Sequence, residues 1–581
     1  MNTNPIDTSL ASNIETWQEN LKNDFDAPFI IKGITEGFSL IDSKIHVNDI
    51  QAVEMNNHRS ATDPKNRHLM ENQIRAELSD NNYFIPSFKP KIISAMGAIP
   101  KKDGSLRIIH DCSLPENNAL NNYASKDPCR YQSVQEALAM IQPGWYMAKV
   151  DLQSAYRSVG ISPTEYSLTG LKWQFCDDDK VTYLCDRKLP FGARKSPSIF
   201  NRITQSIRRM MLRRGFPYCV VLLDDFFIAA PSFEECTHAY THLISLIRSL
   251  GFRINWKKVV DPTQDLVFLG VRINTVNNRI SLDPDKIQEI ITILNSTMQR
   301  SRMTKHQLQS LAGKLSWAST VYQWGRSFLC QIFQTIHGVK HGLHKIKLHQ
   351  RLKADFQWWI SALQTGLNTK LIWDKRPSVW CYSDASEIGG GVFCNGFWLY
   401  RNWQLDTTFG RCHINVKELA MAYLAIEHWA HFLSGKKFTV FIDNIAAVSY
   451  INRQRAPNHH VIHILRQLAL LAIQYDIAIE AVYIPGEHNK MADSISRLHE
   501  PGQIARFMSL IHQYYSPGIL PTYFLLDHHM TRNARRFLYP QVSRWIKQLS
   551  LNNWTQKWPS GNPCPMQCQP KEHIVHTGIT T

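Results

Sequence analysis

The strongest chemical signal in this 581-residue chain is a pair of adjacent acids. Asp224 and Asp225 interrupt the apolar run Cys219-Val-Val-Leu-Leu-Asp-Asp-Phe-Phe-Ile-Ala-Ala. Two apolar arms around an acidic pair predict a β-hairpin with both carboxylates at its tip. A turn needs only one Asp, the two carboxylates repel each other, and neither Gly nor Asn stands beside them to ease the turn. Something cationic should compensate, and a divalent metal is the usual candidate. A third acid, Asp151, ends another strand-like run, Tyr146-Met-Ala-Lys-Val-Asp. Taken singly it reads equally well as a strand-end cap. Three hard oxygen ligands at strand ends can together hold two Mg²⁺ about 3.5–4 Å apart, with Mn²⁺ as a substitute.

A second set of acids lies downstream. Asp384 closes Trp380-Cys-Tyr-Ser-Asp ahead of Gly389-Gly-Gly391, Glu418 stands at a helix start, Asp443 closes Phe438-Thr-Val-Phe-Ile-Asp, and Asp493 follows Ile484-Pro-Gly-Glu-His488-Asn-Lys-Met-Ala. Each has an ordinary reading as a strand cap, first-turn charge or N-cap.

The elements that must position these acids follow from periodicity. Residues 146–150, 218–223, 226–230 and 266–273 read as strands, and 133–141 and 200–214 as helices. A second α/β unit has strands at 379–383, 391–394, 398–403 and 438–442, with helices at 418–432 and 461–475. Hydrophobic residues make up 44% of the chain, which excludes wholesale disorder. The net charge of +17 favours a polyanionic partner. Residues 290–354 contain no Asp or Glu but hold Arg300, Arg302, Lys305, Lys314, Arg326, Lys340, Lys345, Lys347, Arg351 and Lys353. With Trp317, Tyr322, Trp324 and Phe328 interleaved, this segment reads as a nucleic-acid-tracking surface. A solvated face would normally mix both signs. Twelve scattered cysteines predict an intracellular setting, cytoplasm or nucleus. No apolar run of about 18 residues predicts a membrane span, so no membrane partner is expected.

In this order the motifs resemble a retroelement reverse transcriptase followed by ribonuclease H. Ile99-Pro-Lys-Lys-Asp-Gly-Ser-Leu-Arg107-Ile-Ile-His-Asp111 is similar to the fingers motif, and Lys149-Val-Asp151 through Tyr156-Arg157 to the first metal strand. Leu189-Pro-Phe-Gly192-Ala-Arg-Lys-Ser-Pro197-Ser-Ile-Phe200 resembles the Leu-Pro-Phe-Gly motif, and Phe268-Leu-Gly270 the primer-gripping turn. The resemblance implies an RNA-directed DNA polymerase in which Asp151, Asp224 and Asp225 hold two Mg²⁺. Lys101 or Lys102 and Arg107 would contact the incoming dNTP, and Tyr156 would lie under its sugar and disfavour a 2′-hydroxyl. Pro190, Phe191 and Gly192 would line the template–nucleotide site. Asp384, Glu418, Asp443 and Asp493 would hold two further Mg²⁺ to cut the RNA strand of an RNA–DNA hybrid. His488 is a surface-loop histidine by default. One position departs from the family: Leu222 stands where an aromatic Tyr is usual.

Gly33-Ile-Thr-Glu-Gly37-Phe38, Asn57-His-Arg-Ser60-Ala61, the block 71–77, Thr304-Lys-His-Gln-Leu-Gln-Ser-Leu-Ala-Gly313-Lys-Leu and Gly325-Arg-Ser-Phe-Leu329 resemble DIRS-type retrotransposons, with Gypsy-like elements next nearest. The implied fold class is α+β and α/β, multidomain: a right-hand polymerase (fingers, palm, thumb) followed by a ribonuclease H-like domain. The expected divisions are an N-terminal extension over 1–45, fingers and palm over 46–275, a basic thumb and connection over 276–372, the ribonuclease H-like domain over 373–500, and a tail over 501–581. Expected partners are RNA template, DNA primer, RNA–DNA hybrid and dNTPs. An element-encoded recombinase would act in trans, since no such motif is visible here, and neither is an Asp-Ser/Thr-Gly protease motif. The alternative is an inactive relic that binds nucleic acid without catalysis. In the tail, Cys564, Cys568, His573 and His576 depart from zinc-knuckle spacing and read as a chance cluster.

Overall fold

The computed structural model describes residues 10–514, apart from 102–103, 126–128, 366–368 and 395–396. The four tail Cys and His residues lie outside that range. The fold class is the expected one: mixed α+β and α/β, in more than one compact unit. One unit comprises residues 1–283 with 371–373, and the other 284–370 with 374–581.

In the first unit, the stretch expected as an extension is built into the core. Helices α1 (Ile14–Asn20) and α2 (Ala27–Glu36) bury Trp17 and Ile30, and the Trp17 indole donates to the Leu250 carbonyl at 3.0 Å. Its polar look has a cause. Asp24 and Asp26 are buried but paired with Arg202, Arg209 and Arg213, partners that local patterning cannot reveal. Helix α3 (Pro64–Ser79) follows, then an antiparallel hairpin of β1 (Ala95–Pro100) and β2 (Leu106–Asp111).

Next come β3 (Tyr146–Asp151), β4 (Thr182–Asp186), α4 (Ser196–Arg213), β5 (Cys219–Leu222), β6 (Asp225–Ala230), α5 (Phe233–Ser249) and β7 (Val260–Thr263). Strands β3, β5, β6 and β7 form one sheet in the order β7-β3-β6-β5, with α4 against β5 and α5 against β3, β6 and β7. The apolar run read as one strand at 266–273 is instead a hairpin of β8 (Asp265–Phe268) and β9 (Val271–Asn274). Leu269 and Gly270 turn it at φ 50° and 80°, and because both arms are apolar the hydrophobic pattern runs through the turn unbroken.

The second unit begins with helices α6 (Pro284–Met298), α7 (Lys305–Ala318) and α8 (Gln350–Gln364). Between them residues 302–304 and 345–347 pair as a short antiparallel ribbon. A five-stranded sheet follows, built from β10 (Ser378–Ala385), β11 (Gly389–Cys394), β12 (Phe397–Asn402), β13 (Lys437–Ile442) and β14 (Ala478–Tyr483). Its order is β12-β11-β10-β13-β14. The first three strands are antiparallel, while β13 and β14 are parallel to β10 and to each other. Helices α9 (Ile414–Leu433), α10 (His459–Gln474) and α11 (Lys490–Ser496) complete the α/β unit. Among the described residues no helix is long and apolar enough to cross a membrane.

Candidate active sites

In the first unit, β3 and β6 place Asp151 directly opposite Asp225. The hairpin tip is one residue off the expected position. Asp225 is already in β6, paired with Leu222, so the two-residue turn is Leu223–Asp224. Leu223 adopts φ 54°, a left-handed conformation that costs a residue with a Cβ about 1–2 kcal/mol. The Asp224 carbonyl accepts from the Leu152 amide at 3.0 Å, which ties the turn to the end of β3.

Lysines meet two of these acids. Asp151, 2% exposed, accepts from Asn255 Nδ2 at 2.9 Å and from Lys258 Nζ at 3.1 Å. Lys149 Nζ lies 2.9 Å from Asp225 Oδ1. Burial pushes the Asp224 carboxyl above the ordinary range, and the neighbouring Asp225 adds to the shift. Burial also raises Asp225, with Lys149 opposing. The three acids are neighbours, and Lys149 and Lys258 hold two of them; among the described residues only the second set described below draws within 4.8 Å. Lys149 stands in the quoted Lys149-Val-Asp151 motif but its pairing with Asp225 does not show in the sequence, and for Lys258 and Asn255 the only local signal is the basic pair in Asn255-Trp-Lys-Lys258.

The expected nucleotide residues gather beside this sheet. Tyr156 stacks on Phe191 at 5.1 Å and 19°, and the Arg107 guanidinium stands 5.3 Å from the same ring. Gly192 sits at φ +135°, where an added Cβ would be 1.9 Å from the His110 carbonyl oxygen, so only glycine fits. The buried Asn121 amide donates to the Gly192 carbonyl at 3.0 Å and its oxygen accepts from the Arg194 amide at 2.7 Å. Lys101 is exposed in the β1–β2 turn, where its amide donates to the Ser105 carbonyl at 2.8 Å. Lys102 lies outside the described residues.

In the second unit, Asp384 is the penultimate residue of β10, Glu418 lies in α9 and Asp443 follows β13. Each offers a carboxylate oxygen, and these oxygens all lie within 4.8 Å of one another, the only such acidic or metal-ligating cluster among the described residues. Burial raises all three carboxyls. Asp384 is pushed up to about 6 against the hydroxyl bond from Ser496, and Glu418 well above its ordinary value with Asp384 adding to the effect. Glu418 Oε2 is buried without a hydrogen-bond partner. An orphaned carboxylate oxygen among three hard oxygen donors fits a divalent cation such as Mg²⁺. Gly391 makes the site possible: a Cβ there would lie 2.5 Å from the Ser496 amide and 2.6 Å from the Ala492 carbonyl oxygen, so glycine lets α11 seat against β11.

The fourth expected acid, Asp493, is close enough to raise Asp384 and Asp443. Its oxygens, however, are engaged by Arg497 Nε at 2.9 Å and by Arg506 at 3.2 Å. Arg497 stands four residues along, a spacing at which a helical ion pair forms, whereas Arg506 on the next helix meets Asp493 by tertiary approach. His488 is exposed and faces Glu487 at 3.6 Å.

The basic segment needs a correction. Tyr322, Trp324 and Phe328 are buried, with Phe328 stacked on Trp358 at 3.8 Å. They fill the unit's core and offer no surface for stacking bases. The exposed part is cationic. Residues 302–304 and 345–347 pair with Arg302 opposite Lys347, while Met303 and Ile346 face inward. Like charges directly opposite are destabilising unless an anion lies over them.

Residues 99–273 match the family model described as reverse transcriptase (RNA-dependent DNA polymerase). The chain is 28% identical over 214 residues to Protein P of ground squirrel hepatitis virus (strain 27), covering 36% of this chain and 24% of that one. It is 20% identical over 432 residues to the Transposon Tf2-3 polyprotein of Schizosaccharomyces pombe (strain 972 / ATCC 24843), covering 69% of this chain and 28% of that one. The chain thus spans about a quarter of the length of these curated relatives. Among solved structures it is similar to a foamy viral protease-reverse transcriptase in complex with double-stranded DNA, at 14% identity and TM-score 0.46, covering 83% of this chain and 84% of that one. A reverse transcriptase domain of the kind found in retroelement and viral polymerases is therefore present at residues 99–273.

Proposed function

We propose that the chain is an RNA-directed DNA polymerase with a second, ribonuclease H activity on RNA–DNA hybrids, from a retrotransposon of DIRS type. The observation that carries the polymerase half is a coincidence of position. The reverse transcriptase match at 99–273 contains Asp151, Asp224 and Asp225, and the fold brings these three acids to one sheet end. Bound magnesium would supply charge stabilisation at the attacking and leaving oxygens of phosphoryl transfer. The chain's own residues do the rest. Arg107 and Lys101 supply positive charge to the triphosphate. The Tyr156–Phe191 stack forms a floor under the nucleotide. Lys149 and Lys258 compensate the charge of Asp225 and Asp151.

In the second unit Asp384, Glu418 and Asp443 would hold the metal, Ser496 orients Asp384, and Asp493 stands beside them with its oxygens on Arg497 and Arg506. The hybrid would be distinguished by its 2′-hydroxyls and groove shape. Template, primer, hybrid and dNTPs are the proposed partners, an element-encoded recombinase the proposed companion, and the cytoplasm or nucleus the proposed site of action.

A relic reading is favoured by two observations: Leu222 replaces the usual Tyr, and lysines engage two of the three polymerase acids. Primer extension decides. The purified chain receives an oligonucleotide-primed RNA template, dNTPs and Mg²⁺. Extension lost in Asp224→Asn, with hybrid cleavage lost separately in Asp443→Asn, is the expected result. Nucleic-acid binding with no extension by the wild type establishes the relic.

A further inference from the structure

One buried cluster in the first unit is not used by this chemistry, yet every thread of it leads to the nucleotide site. Arg157 follows Tyr156 in the 3-10 turn Ala155–Ser158. Its NH1 reaches both oxygens of Asp186 at 2.9 and 2.7 Å, and Asp186 is fully buried at the end of β4. Its NH2 donates to the Tyr83 hydroxyl at 3.2 Å, and Nε stands 3.2 Å from Glu77 of α3. The Tyr83 hydroxyl lies 2.9 Å from His110 Nε2. His110 closes the circuit. Its amide donates to the Phe191 carbonyl at 2.9 Å, and its own carbonyl occupies the space that forces glycine at 192. The Arg157 guanidinium also stands 5.8 Å from the centre of the Phe191 ring.

The arrangement is costly if it only holds the fold together. Taking an ion pair out of water requires excellent geometry to break even, and a well-packed apolar set of similar volume often serves stability as well. Burial keeps His110 neutral, its pKa pushed down to about 3, so it adds no second positive charge beside Arg157. What a fixed guanidinium does better than an apolar cluster is orientation, because its planar donors point in set directions: Nη1 to both oxygens of Asp186 and Nη2 to the Tyr83 hydroxyl. Here the locked group is joined to Tyr156 by one peptide bond. Through Tyr83 and His110 it is also joined to the backbone of Phe191, the ring on which Tyr156 stacks.

We infer that Arg157, Asp186, Tyr83 and His110 form a positioning unit that fixes the Tyr156–Phe191 stack, and so sets the affinity for the incoming deoxynucleotide and its preference over a ribonucleotide. The inference rests on the polymerase reading. None of the four needs to touch the substrate; they act through Tyr156 and Phe191.

The test is single-nucleotide incorporation on a primed RNA template, with a deoxynucleotide and its ribonucleotide counterpart, in wild type, Tyr83→Phe and Arg157→Lys. Tyr83→Phe removes one hydroxyl that bridges Arg157 and His110 and keeps the ring. It should raise the deoxynucleotide KM about three- to tenfold, the size of one buried hydrogen bond, with kcat nearly unchanged. Arg157→Lys loses the fork and should shift KM further in the same direction. Both should narrow the deoxy-over-ribo preference by a similar factor while melting close to wild type. Unchanged KM and unchanged sugar preference in both variants would overturn the inference and leave the polymerase reading standing. So would parallel losses of KM, kcat and melting temperature, which mark a purely structural cluster. A wild type that extends no primer overturns both.

Discussion

Asp151 and Asp225 face each other across β3 and β6, and a lysine stands against each, Lys258 at 3.1 Å and Lys149 at 2.9 Å. Two opposed carboxylates on one sheet face would repel. The lysines relieve that repulsion without a metal, so the site is electrostatically poised between two sets of cations.

The first prediction concerns the price of that poise in stability. The folded-state pKa values of Asp224 and Asp225 are raised, chiefly by burial. A carboxyl raised on folding binds more protons folded than unfolded between its two pKa values. Its ionisation therefore destabilises the fold as pH rises through that window. Asp224→Asn removes the buried charge and should melt no lower than wild type at pH 8 in a chelator. Primer extension should nonetheless fall by more than about 10³-fold, as expected when several kcal/mol of metal-held charge stabilisation are lost. A clear drop in melting temperature would show instead that the ionised Asp224 supports the fold.

The second site should respond to magnesium in a pH-dependent way. Asp384 is pushed up to about 6 and Glu418 well above its ordinary value, both by burial first. The same sign applies. Metal-free stability contributed by these groups is present below the ordinary carboxyl range, about 4, and is lost as pH rises past 6. Added Mg²⁺ binds the ionised set, so it should raise the melting temperature at pH 8 and have little effect at pH 5. Glu418→Gln should remove the second unit's share of the pH 8 increment. Calorimetry with and without Mg²⁺ checks this, and an increment of equal size in Glu418→Gln would place the metal elsewhere.

The cationic ribbon predicts a salt effect. Arg302, Lys345 and Lys347 are exposed, while Met303 and Ile346 anchor the same strands in the core. Replacing the three cations with Ala should leave the fold intact. If each covers one phosphate, the slope of log K against log salt for duplex binding should become shallower by about 2–3. Fluorescence anisotropy over a salt series measures it, and an unchanged slope would remove the ribbon from the interface.

Much of this was readable from sequence where signals are local. Strand-end acids with apolar arms located Asp151, Asp225, Asp384 and Asp443 at or beside strand ends, and the Gly389–Gly391 run, which permits a tight hairpin, opens the strand that turns back on β10. What escaped depends on distant partners. Asp24 and Asp26 look like a solvated arm until Arg202 and Arg209, nearly two hundred residues away, neutralise them. Lys258 meets Asp151, and Arg506 meets Asp493, by tertiary approach alone. The aromatic residues at 322–328 were misread for the same reason, since a Trp or Phe between lysines has the same pattern whether it stacks on bases or packs under α8.

The last prediction uses a glycine to separate the two chemistries. Gly391 is the residue of β11 opposite Asp384. A methyl group there would press on backbone atoms of α11, the Ser496 amide at 2.5 Å and the Ala492 carbonyl oxygen at 2.6 Å. Backbone cannot yield as a flexible side chain does, so α11 must shift, at a cost of about 1–3 kcal/mol. That shift carries Ser496 away from Asp384 and moves Asp493 with it, loosening the acid cluster without removing any acid. Gly391→Ala should therefore lower hybrid cleavage at least about tenfold. Extension by the first unit should stay close to wild type, because Asp151, Asp224 and Asp225 belong to a separate compact unit. Measuring both activities on one preparation provides the check. Cleavage retained at wild-type level would mean that α11 does not position the second acid cluster.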